Sequence, residues 1–147
     1  MIASMPRAGR ILSALLLMTV LLPAAETKTP PETLEAETLR HFQAMIRMDT
    51  SDPPGGERPV VEYLKGVLEA EGIPVQIFAL DPKRPNLVAR LKGSGCKRPL
   101  LLMGHTDTVN IDPKKWKHGP FSADREDGYI YGRGTVDDKD NVTACLM

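Results

Sequence analysis

The order of apolar residues along this chain predicts a layered α/β domain. Two stretches with helical spacing come first, and short apolar or β-branched segments follow them. One of these segments, residues 100–103, is continuously apolar, which is the pattern of a strand buried on both faces. Helices followed by buried strands predict helices packed on a sheet, with ligands bound where loops leave the strand ends.

Two helices are predicted in the first half of the domain. The first covers residues 31–48, where apolar residues recur at helical spacing after Glu32 or Thr33. The second ends near Gly72. Its apolar face is formed by Val60, Val61, Leu64, Val67 and Leu68. Residues 49–56 between the helices are rich in Pro and Gly, which predicts a loop.

The predicted strands follow the helices. Residues 75–80 and 86–91 are short, apolar or β-branched, and the Pro-containing loop between them favours two neighbouring strands. Residues 100–103 are predicted to lie in the middle of the sheet, because a strand without polar residues needs cover on both faces.

Composition and charge narrow the class of protein. A chain of 147 residues with 41% hydrophobic and 26% charged residues is typical of one globular domain. The 19 basic and 19 acidic residues are interspersed, so no basic surface for nucleic acid is expected. Cys96 and Cys145 are too few for a disulfide framework, and we expect two unpaired thiols.

The first residues differ in kind from the rest. Arg7 and Arg10 precede a charge-free run of 12 residues, 11–22, and small residues follow it. This pattern predicts a signal peptide over residues 1–25 and export to the periplasm or the exterior. The run is shorter than the roughly 20 residues that span a bilayer, so no stable span is expected after cleavage.

The exported protein is then predicted to begin with a linker over residues 26–32 and a domain over residues 33–147. An alternative for the N-terminus stays open. Pro23 lies at the third position before a cut after Ala25 and matches a signal cleavage site poorly. The protein would in that case keep an N-terminal membrane anchor.

A His-x-Asp tripeptide directly follows the apolar run 100–103. His105 is expected to project from the carboxyl edge of the sheet, and Asp107 accepts the other ring N–H, which fixes the tautomer. Such a pair orients an imidazole for metal binding. Taken alone, however, a His near a strand end is more often a structural residue. His41, in the first helix, is predicted to lie at the surface.

A second carboxylate motif follows about thirty residues later. Gly132-Arg133-Gly134 permits a tight backbone path, and three aspartates, Asp137, Asp138 and Asp140, then surround Lys139. One interpretation is a solvated acidic helix start, since Asp stabilises a helix N-terminus. The other is a carboxylate that bridges two cations, which would neutralise the repulsion among the three charges.

These two motifs together resemble the N-terminal signatures of the M20 metallopeptidase family. The segments are Gly-His-Thr-Asp-Thr-Val over residues 104–109 and Tyr-Gly-Arg-Gly-Thr-Val-Asp-Asp-Lys over residues 131–139. The resemblance extends from about Glu32 to the end of the chain. It implies a zinc exopeptidase-like α/β/α domain with a mixed central sheet. Asp140 departs from the family pattern, which often has Gly there, and leaves the subfamily open.

The resemblance also implies roles for three residues. His105 resembles the first zinc ligand and Asp137 the carboxylate that bridges two metal ions. Asp107 belongs to the catalytic apparatus as the residue that orients His105. The cofactor implied is a pair of Zn²⁺ ions, with Co²⁺ or Mn²⁺ as alternatives. The peptide bond between Asp137 and Asp138 is expected to be cis, as is frequent in the family.

The activity implied is zinc-dependent hydrolysis of an amide bond by a metal-activated water. The substrate would be a dipeptide, a C-terminal residue or an N-acyl amino acid. The family's general base, a Glu, and its remaining metal ligands are expected beyond Met147. We therefore expect an N-terminal part of a longer enzyme, inactive by itself, that forms a homodimer through a domain outside these residues.

A rival interpretation comes from a different class of protein. The chain would be an exported, non-catalytic α/β interaction domain whose acidic cluster binds a structural cation or no ion. Metal content and hydrolase activity distinguish the two interpretations.

Overall fold

The computed structural model describes residues 32–147. The predicted signal peptide, residues 1–25, and most of the predicted linker lie outside the described residues. The described range contains three α-helices, six short strands and one 3-10 helix, Pro113–Lys115. The helices are α1 (Leu34–Ile46), α2 (Arg58–Ala70) and α3 (Lys139–Leu146). The strands are β1 (Ser51–Asp52), β2 (Val75–Phe78), β3 (Asn86–Ala89), β4 (Thr108–Val109), β5 (Asp124–Glu126) and β6 (Tyr129–Tyr131).

Helix α1 begins and ends close to its predicted bounds, because its cap is encoded in the sequence. The Thr33 side chain accepts a hydrogen bond from the Ala36 backbone N–H at 3.2 Å, which satisfies one free donor of the first turn. Helix α2 has Pro59 in its first turn, where no hydrogen-bonding N–H is needed. It ends before Gly72, whose φ of +72° suits a residue without Cβ.

A small core joins the three helices. The buried residues Met45, Val60 and Leu64 form its centre. Partly buried residues pack around them: Met48, Tyr63, Leu87, Val142 and Leu146. Because Met45 lies near the end of α1 and Val142 lies in α3, this core places the start of α3 beside the end of α1.

The strands form three two-stranded sheets in the part of the chain that the structure describes. β2 and β3 pair antiparallel, as do β5 and β6, whereas β1 and β4 pair parallel. The predicted α/β class is therefore confirmed, with three small sheets among the described residues. The parallel pair aligns Ser51 with Thr108 and so fixes the chain just after His105 and Asp107.

The strand predicted at residues 100–103 is wrong for this chain. These residues form no strand, and Leu100, Leu101, Leu102 and Met103 are 82%, 76%, 59% and 78% exposed. A strand needs neighbours that bond its backbone N–H and C=O groups. Within residues 32–147, β1 pairs with β4 beyond this run, and nothing pairs with the run itself.

The surface position predicted for His41 is also wrong. His41 is only 3% exposed, and its Nδ1 lies 2.7 Å from the Tyr63 hydroxyl of α2. A partner on the neighbouring helix allows the imidazole to be buried, and a single helix's pattern does not reveal such a partner. Cys96 and Cys145 are free thiols, as expected. No helix among residues 32–147 is long and apolar enough to span a membrane.

Candidate metal centre

The structure brings together the two residues that resemble metal ligands. His105 Nε2 lies 3.0 Å from Asp137 Oδ1, although the residues are 32 positions apart. Both side chains reach solvent, with 51% of His105 and 83% of Asp137 exposed. The two residues that the resemblance assigns to one metal site therefore do lie together, but His105 does not project from the carboxyl edge of a strand at residues 100–103, because no strand forms there.

Asp107 contacts the opposite side of the His105 ring, as the His-x-Asp pattern predicts. Asp107 Oδ1 lies 3.1 Å from His105 Nδ1, so the imidazole is held between two carboxylates. Partial burial works to lower the pKa of His105, but Asp107 and Asp137 outweigh it, and the pKa is raised. Each carboxylate accepts a hydrogen bond from the ring N–H that faces it, and a metal ion bound to Nε2 would take the place of the proton on the Asp137 side.

Asp138 connects the two motifs through the backbone, a role that sequence reasoning missed. Its Oδ2 accepts a hydrogen bond from the His105 backbone N–H at 3.0 Å, and the Asn141 amide donates to Oδ1. These two donors lower the pKa of Asp138. Asp138 precedes α3 but makes no side-chain capping bond to it. Asp138 is nevertheless the N-cap residue of α3 and Asp140 lies in its first turn, so the acidic residues do begin a helix, while the Asp138 side chain also bonds to the first motif.

Close backbone approach explains two glycines of the motifs. A Cβ on Gly104 would lie 2.8 Å from Val142 Cγ2 and 3.0 Å from Asp138 Oδ2. A Cβ on Gly132 would lie 2.3 Å from Ile46 Cγ2. The tight path predicted for the Gly-Arg-Gly turn is therefore confirmed, and the second motif packs directly on the end of α1. The bond between Asp137 and Asp138 is cis, as the resemblance implies.

Lys139 lies fully buried beneath the site, and its environment was not predicted either. Its Nζ donates to the backbone carbonyls of Met45 and Met48 at 3.0 and 2.9 Å. Burial lowers the pKa of Lys139 to about 8, against a smaller effect of Asp49 that raises it. The residues around Lys139 in the sequence could not predict this contact, because its partners are main-chain carbonyls 91 and 94 residues away.

Arg84, in the loop between β2 and β3, supports the outer side of the site. Its guanidinium binds Glu57 at 2.9 Å and Asp52 at 2.9 Å, and Nη2 lies 4.0 Å from Asp107 Oδ2. Gly55 makes room for this side chain, since a Cβ there would lie 2.7 Å from Arg84 Nε. Arg84 thus places positive charge beside the carboxylate that orients His105.

A cavity of about 330 Å³ opens beside Asp137. Its wall includes Val109, Trp116 and the Gly-Arg-Gly turn. The Arg133 guanidinium stacks over the Trp116 ring, 5.1 Å from its centroid. Trp116 therefore packs against the turn that leads to Asp137, and the cavity gives that carboxylate an open side.

The chemistry of His105 and Asp137 fits a zinc ion. Two ligands on a tetrahedral zinc, with bonds of about 2.0–2.2 Å, lie roughly 3.3 Å apart, close to the observed 3.0 Å. An imidazole oriented by a carboxylate is the usual form of such a ligand. Among residues 32–147, however, no group of three or more His, Cys, Asp or Glu side chains is placed to hold a metal ion.

Comparison with protein families identifies the region that carries both motifs. Residues 101–147 match the model of peptidase family M20/M25/M40. This segment contains His105, Asp107 and Asp137, and it begins within the exposed apolar run.

Three curated relatives match a larger part of the chain. The chain is 36% identical to N-formyl-4-amino-5-aminomethyl-2-methylpyrimidine deformylase of Halalkalibacterium halodurans, over 76% of the chain and 27% of the relative. It is 35% identical to succinyl-diaminopimelate desuccinylase of Caulobacter sp. strain K31, over 80% of the chain and 30% of the relative. It is 40% identical to the desuccinylase of Methylobacterium sp. strain 4-46, over 71% of the chain and 26% of the relative.

A solved structure shows the same relationship in three dimensions. The M20 family metallo-carboxypeptidase of Sulfolobus solfataricus superposes with a TM-score of 0.67 at 29% identity, over 75% of this chain and 25% of that protein. The chain thus spans between a quarter and a third of the length of these proteins. Its motifs, the curated relatives and this structure agree that the chain belongs to peptidase family M20/M25/M40.

Proposed function

We propose that the natural protein carrying this sequence is a zinc-dependent hydrolase of amide bonds. Its substrate class is a dipeptide, a C-terminal residue of a peptide or an N-acyl amino acid. The observation that carries the proposal is the 3.0 Å approach of His105 Nε2 to Asp137 Oδ1, with Asp107 on the other ring nitrogen. The names of the relatives support it, because they describe a deformylase, a desuccinylase and a metallo-carboxypeptidase.

Each of the three residues has a part in this chemistry. His105 would hold one metal ion through Nε2, and the two oxygens of Asp137 would hold that ion and a second one. Asp107 keeps the proton on Nδ1, so that Nε2 presents its lone pair. When bound, zinc, or cobalt or manganese in its place, polarises the scissile carbonyl and makes water nucleophilic near neutral pH.

The cavity beside Asp137 is where we place the substrate. Its walls combine an apolar side, Val109 and Trp116, with backbone of the Gly-Arg-Gly turn. A small amide with a carboxylate or an acyl chain fits a space of about 330 Å³. The chemistry of this wall does not select among the members of the substrate class.

Hydrolysis requires groups beyond the three residues. A tetrahedral zinc takes about four ligands, and the described residues bring two together. We propose that the further ligands and a Glu general base come from parts of the natural protein outside residues 1–147. The 147-residue chain alone is then inactive.

Metal analysis and chelation test the proposal on the natural protein. The purified protein should contain zinc and hydrolyse members of a panel of dipeptides and N-acyl amino acids. A chelator should abolish that activity, and added Zn²⁺ should restore it. Protein that contains no metal and hydrolyses none of the panel would instead support the non-catalytic interaction domain.

We also propose export, from the basic and apolar pattern of residues 1–25. Mass spectrometry of the mature N-terminus should find a chain that begins near Glu26. Intact Met1 in a membrane fraction would favour the N-terminal anchor, and intact Met1 in the cytosol would contradict export.

The assembly proposed for the natural protein is a homodimer formed through a domain outside these residues. Light scattering on the purified protein measures its molar mass. A mass of twice the chain supports the dimer, and a monomeric mass contradicts it.

A further inference from the structure

Lys139 is the one fully buried cation among residues 32–147, and none of the three roles above uses it. It is the first residue of α3 and directly follows the Asp137-Asp138 pair. A charged ammonium is retained inside a protein only where hydrogen bonds compensate its lost hydration. Its partners therefore indicate what it does.

The partners of Lys139 are one carbonyl in the last turn of helix α1, that of Met45, and one just beyond the helix, that of Met48. Nζ donates to Met45 O at 3.0 Å and to Met48 O at 2.9 Å. The last carbonyls of a helix lack the usual partners four residues on and carry its negative partial charge; Met45 O also accepts from the Met48 backbone N–H at 3.1 Å, so Lys139 adds a second donor there. The last turn of α1 has no basic residue of its own. Lys139 therefore completes the end of α1 from a distant part of the sequence.

The chain around Lys139 is shaped to accept this side chain. The Lys139 backbone N–H donates to Gly134 O at 3.1 Å, which closes the turn that contains Asp137. A Cβ on Gly134 would lie 3.1 Å from Lys139 Cδ and 3.5 Å from Cε. The Gly-Arg-Gly turn thus covers the aliphatic stem, while the ammonium bonds to α1.

The consequence concerns the distance between the two motifs. Asp138 binds the His105 backbone N–H on one side of the turn, and Lys139 binds α1 on the other. Asp137 lies beside both, with its own side chain 83% exposed and bonded to His105. An exposed side chain on an unanchored turn would sample many positions, whereas this turn is fixed at its next two residues.

We propose that Lys139 is a positioning residue for Asp137. Its ammonium ties the Asp137 turn to the end of α1 and so sets where the carboxylate lies relative to His105. This inference rests on the proposed metal site, but it concerns a residue that would not touch the metal, the substrate or the reacting water.

Three variants of the natural protein test the role. Lys139→Met keeps the stem length and removes both hydrogen bonds. Lys139→Arg keeps the charge but moves the donors farther along the side chain. Lys65→Met is the matched control, since Lys65 is a partly exposed residue of α2 that pairs with Glu69 on the same helix. Zn²⁺ affinity by calorimetry and the visible spectrum of the Co²⁺ form are the readouts.

Lys139→Met should weaken Zn²⁺ binding by about 10- to 100-fold, as loss of a supporting contact usually does. The Co²⁺ spectrum should change with it, because the ligand geometry changes. In an Asp137→Asn background the same substitution should have little further effect, since the residue acts through Asp137. Lys65→Met should leave affinity and spectrum unchanged.

Several results would overturn the inference. One is a folded Lys139→Met variant with wild-type Zn²⁺ affinity and Co²⁺ spectrum. Another is an equal further loss in the Asp137→Asn background, which would show a general structural effect. If Lys139→Met does not fold, Lys139→Arg decides, and an unchanged Co²⁺ spectrum contradicts the role. Wild-type protein without metal binding would overturn the proposed function itself, which is a separate outcome.

Discussion

Two adjacent regions of the chain behave differently. The motif pair, residues 104–107 and 132–139, is held together by specific hydrogen bonds. Examples are the bond from the His105 backbone N–H to Asp138 and the bond from Lys139 to a carbonyl of α1. The apolar run, residues 100–103, lies immediately before it and is largely exposed. The motif pair has its partners within the described residues, and the run does not. The candidate site is therefore placed by specific contacts even though the neighbouring strand is not formed.

Replacing Asp137, which contacts His105 across the motif pair, should reduce metal binding and activity more than any other change. Asp137→Asn in the natural protein removes the anionic group that we assign to both metal ions. Zn²⁺ affinity and turnover should each fall by more than roughly 100-fold, the upper limit typical of losing a residue that only orients a metal ligand. Calorimetry and steady-state kinetics measure both. Two bound zinc ions with normal turnover would show that Asp137 is not a ligand.

Gly104 tests the packing between the apolar run and the motif pair. In Gly104→Ala the new methyl group meets Val142 and Asp138, so the contact must open. We expect a loss of about 1–3 kcal/mol in the free energy of unfolding, the usual effect of overpacking. Gly93→Ala is the matched control, because nothing lies within 4 Å of its Cβ position. Equal unfolding midpoints for the two variants would contradict the close approach.

Asp107 distinguishes a supporting contact from a ligand. Asp107→Asn should leave the fold intact and weaken Zn²⁺ affinity or activity by about 10- to 100-fold, less than Asp137→Asn. Circular dichroism checks the fold, and kinetics with metal analysis check the order. If Asp107→Asn abolishes Zn²⁺ binding and Asp137→Asn does not, the two roles have been assigned in reverse.

The pH dependence of metal binding follows from the raised pKa of His105. Protonated imidazole cannot bind zinc, so protons compete with the metal at every pH below that pKa. As the pH is lowered, Zn²⁺ affinity should therefore begin to fall at a pH above 6.5, the ordinary pKa of histidine. Below the raised pKa, the affinity should decrease about tenfold for each pH unit. Calorimetry across pH 5–8 measures this. Asp107→Asn should move the fall to lower pH, and an unchanged profile in that variant would contradict the contact.

The smallest effect is expected in the apolar run. Leu101→Ser in the 147-residue chain should change the free energy of unfolding by less than about 0.5 kcal/mol, because Leu101 is 76% exposed. Met45→Ala, in the core, should cost about 2–5 kcal/mol and serves as the reference. Chemical denaturation measures both. A loss of more than about 2 kcal/mol for Leu101→Ser would place the run in the core of this chain.

Local signals account for the parts of the fold that could be predicted. Helix α1 follows from Thr33 and the spacing of apolar residues, and the β2–β3 pair follows from the Pro-containing loop between two short segments. Residues 100–103 show the limit of such signals. An apolar run forms a strand only if neighbouring strands are present to pair with it. The sequence of the run does not indicate whether such strands are present.

The candidate site also has a part that the sequence predicts and a part that it does not. The approach of His105 to Asp137 could be expected from the motifs and the family resemblance, because side-chain types carry that information. The contacts that fix the approach could not. Lys139 binds main-chain carbonyls, which every residue has, and Asp138 binds a main-chain N–H. Main-chain partners cannot be predicted from residue types, so these contacts are seen only in the folded chain.

In the proposed function, His105 and Asp137 bind the same metal ion. Anomalous diffraction at the zinc edge, from crystals of the zinc-loaded natural protein, tests it most directly. We expect a zinc peak within about 2.0–2.2 Å of both His105 Nε2 and an Asp137 carboxylate oxygen. Zinc bound elsewhere, with His105 still hydrogen-bonded to Asp137, would contradict it.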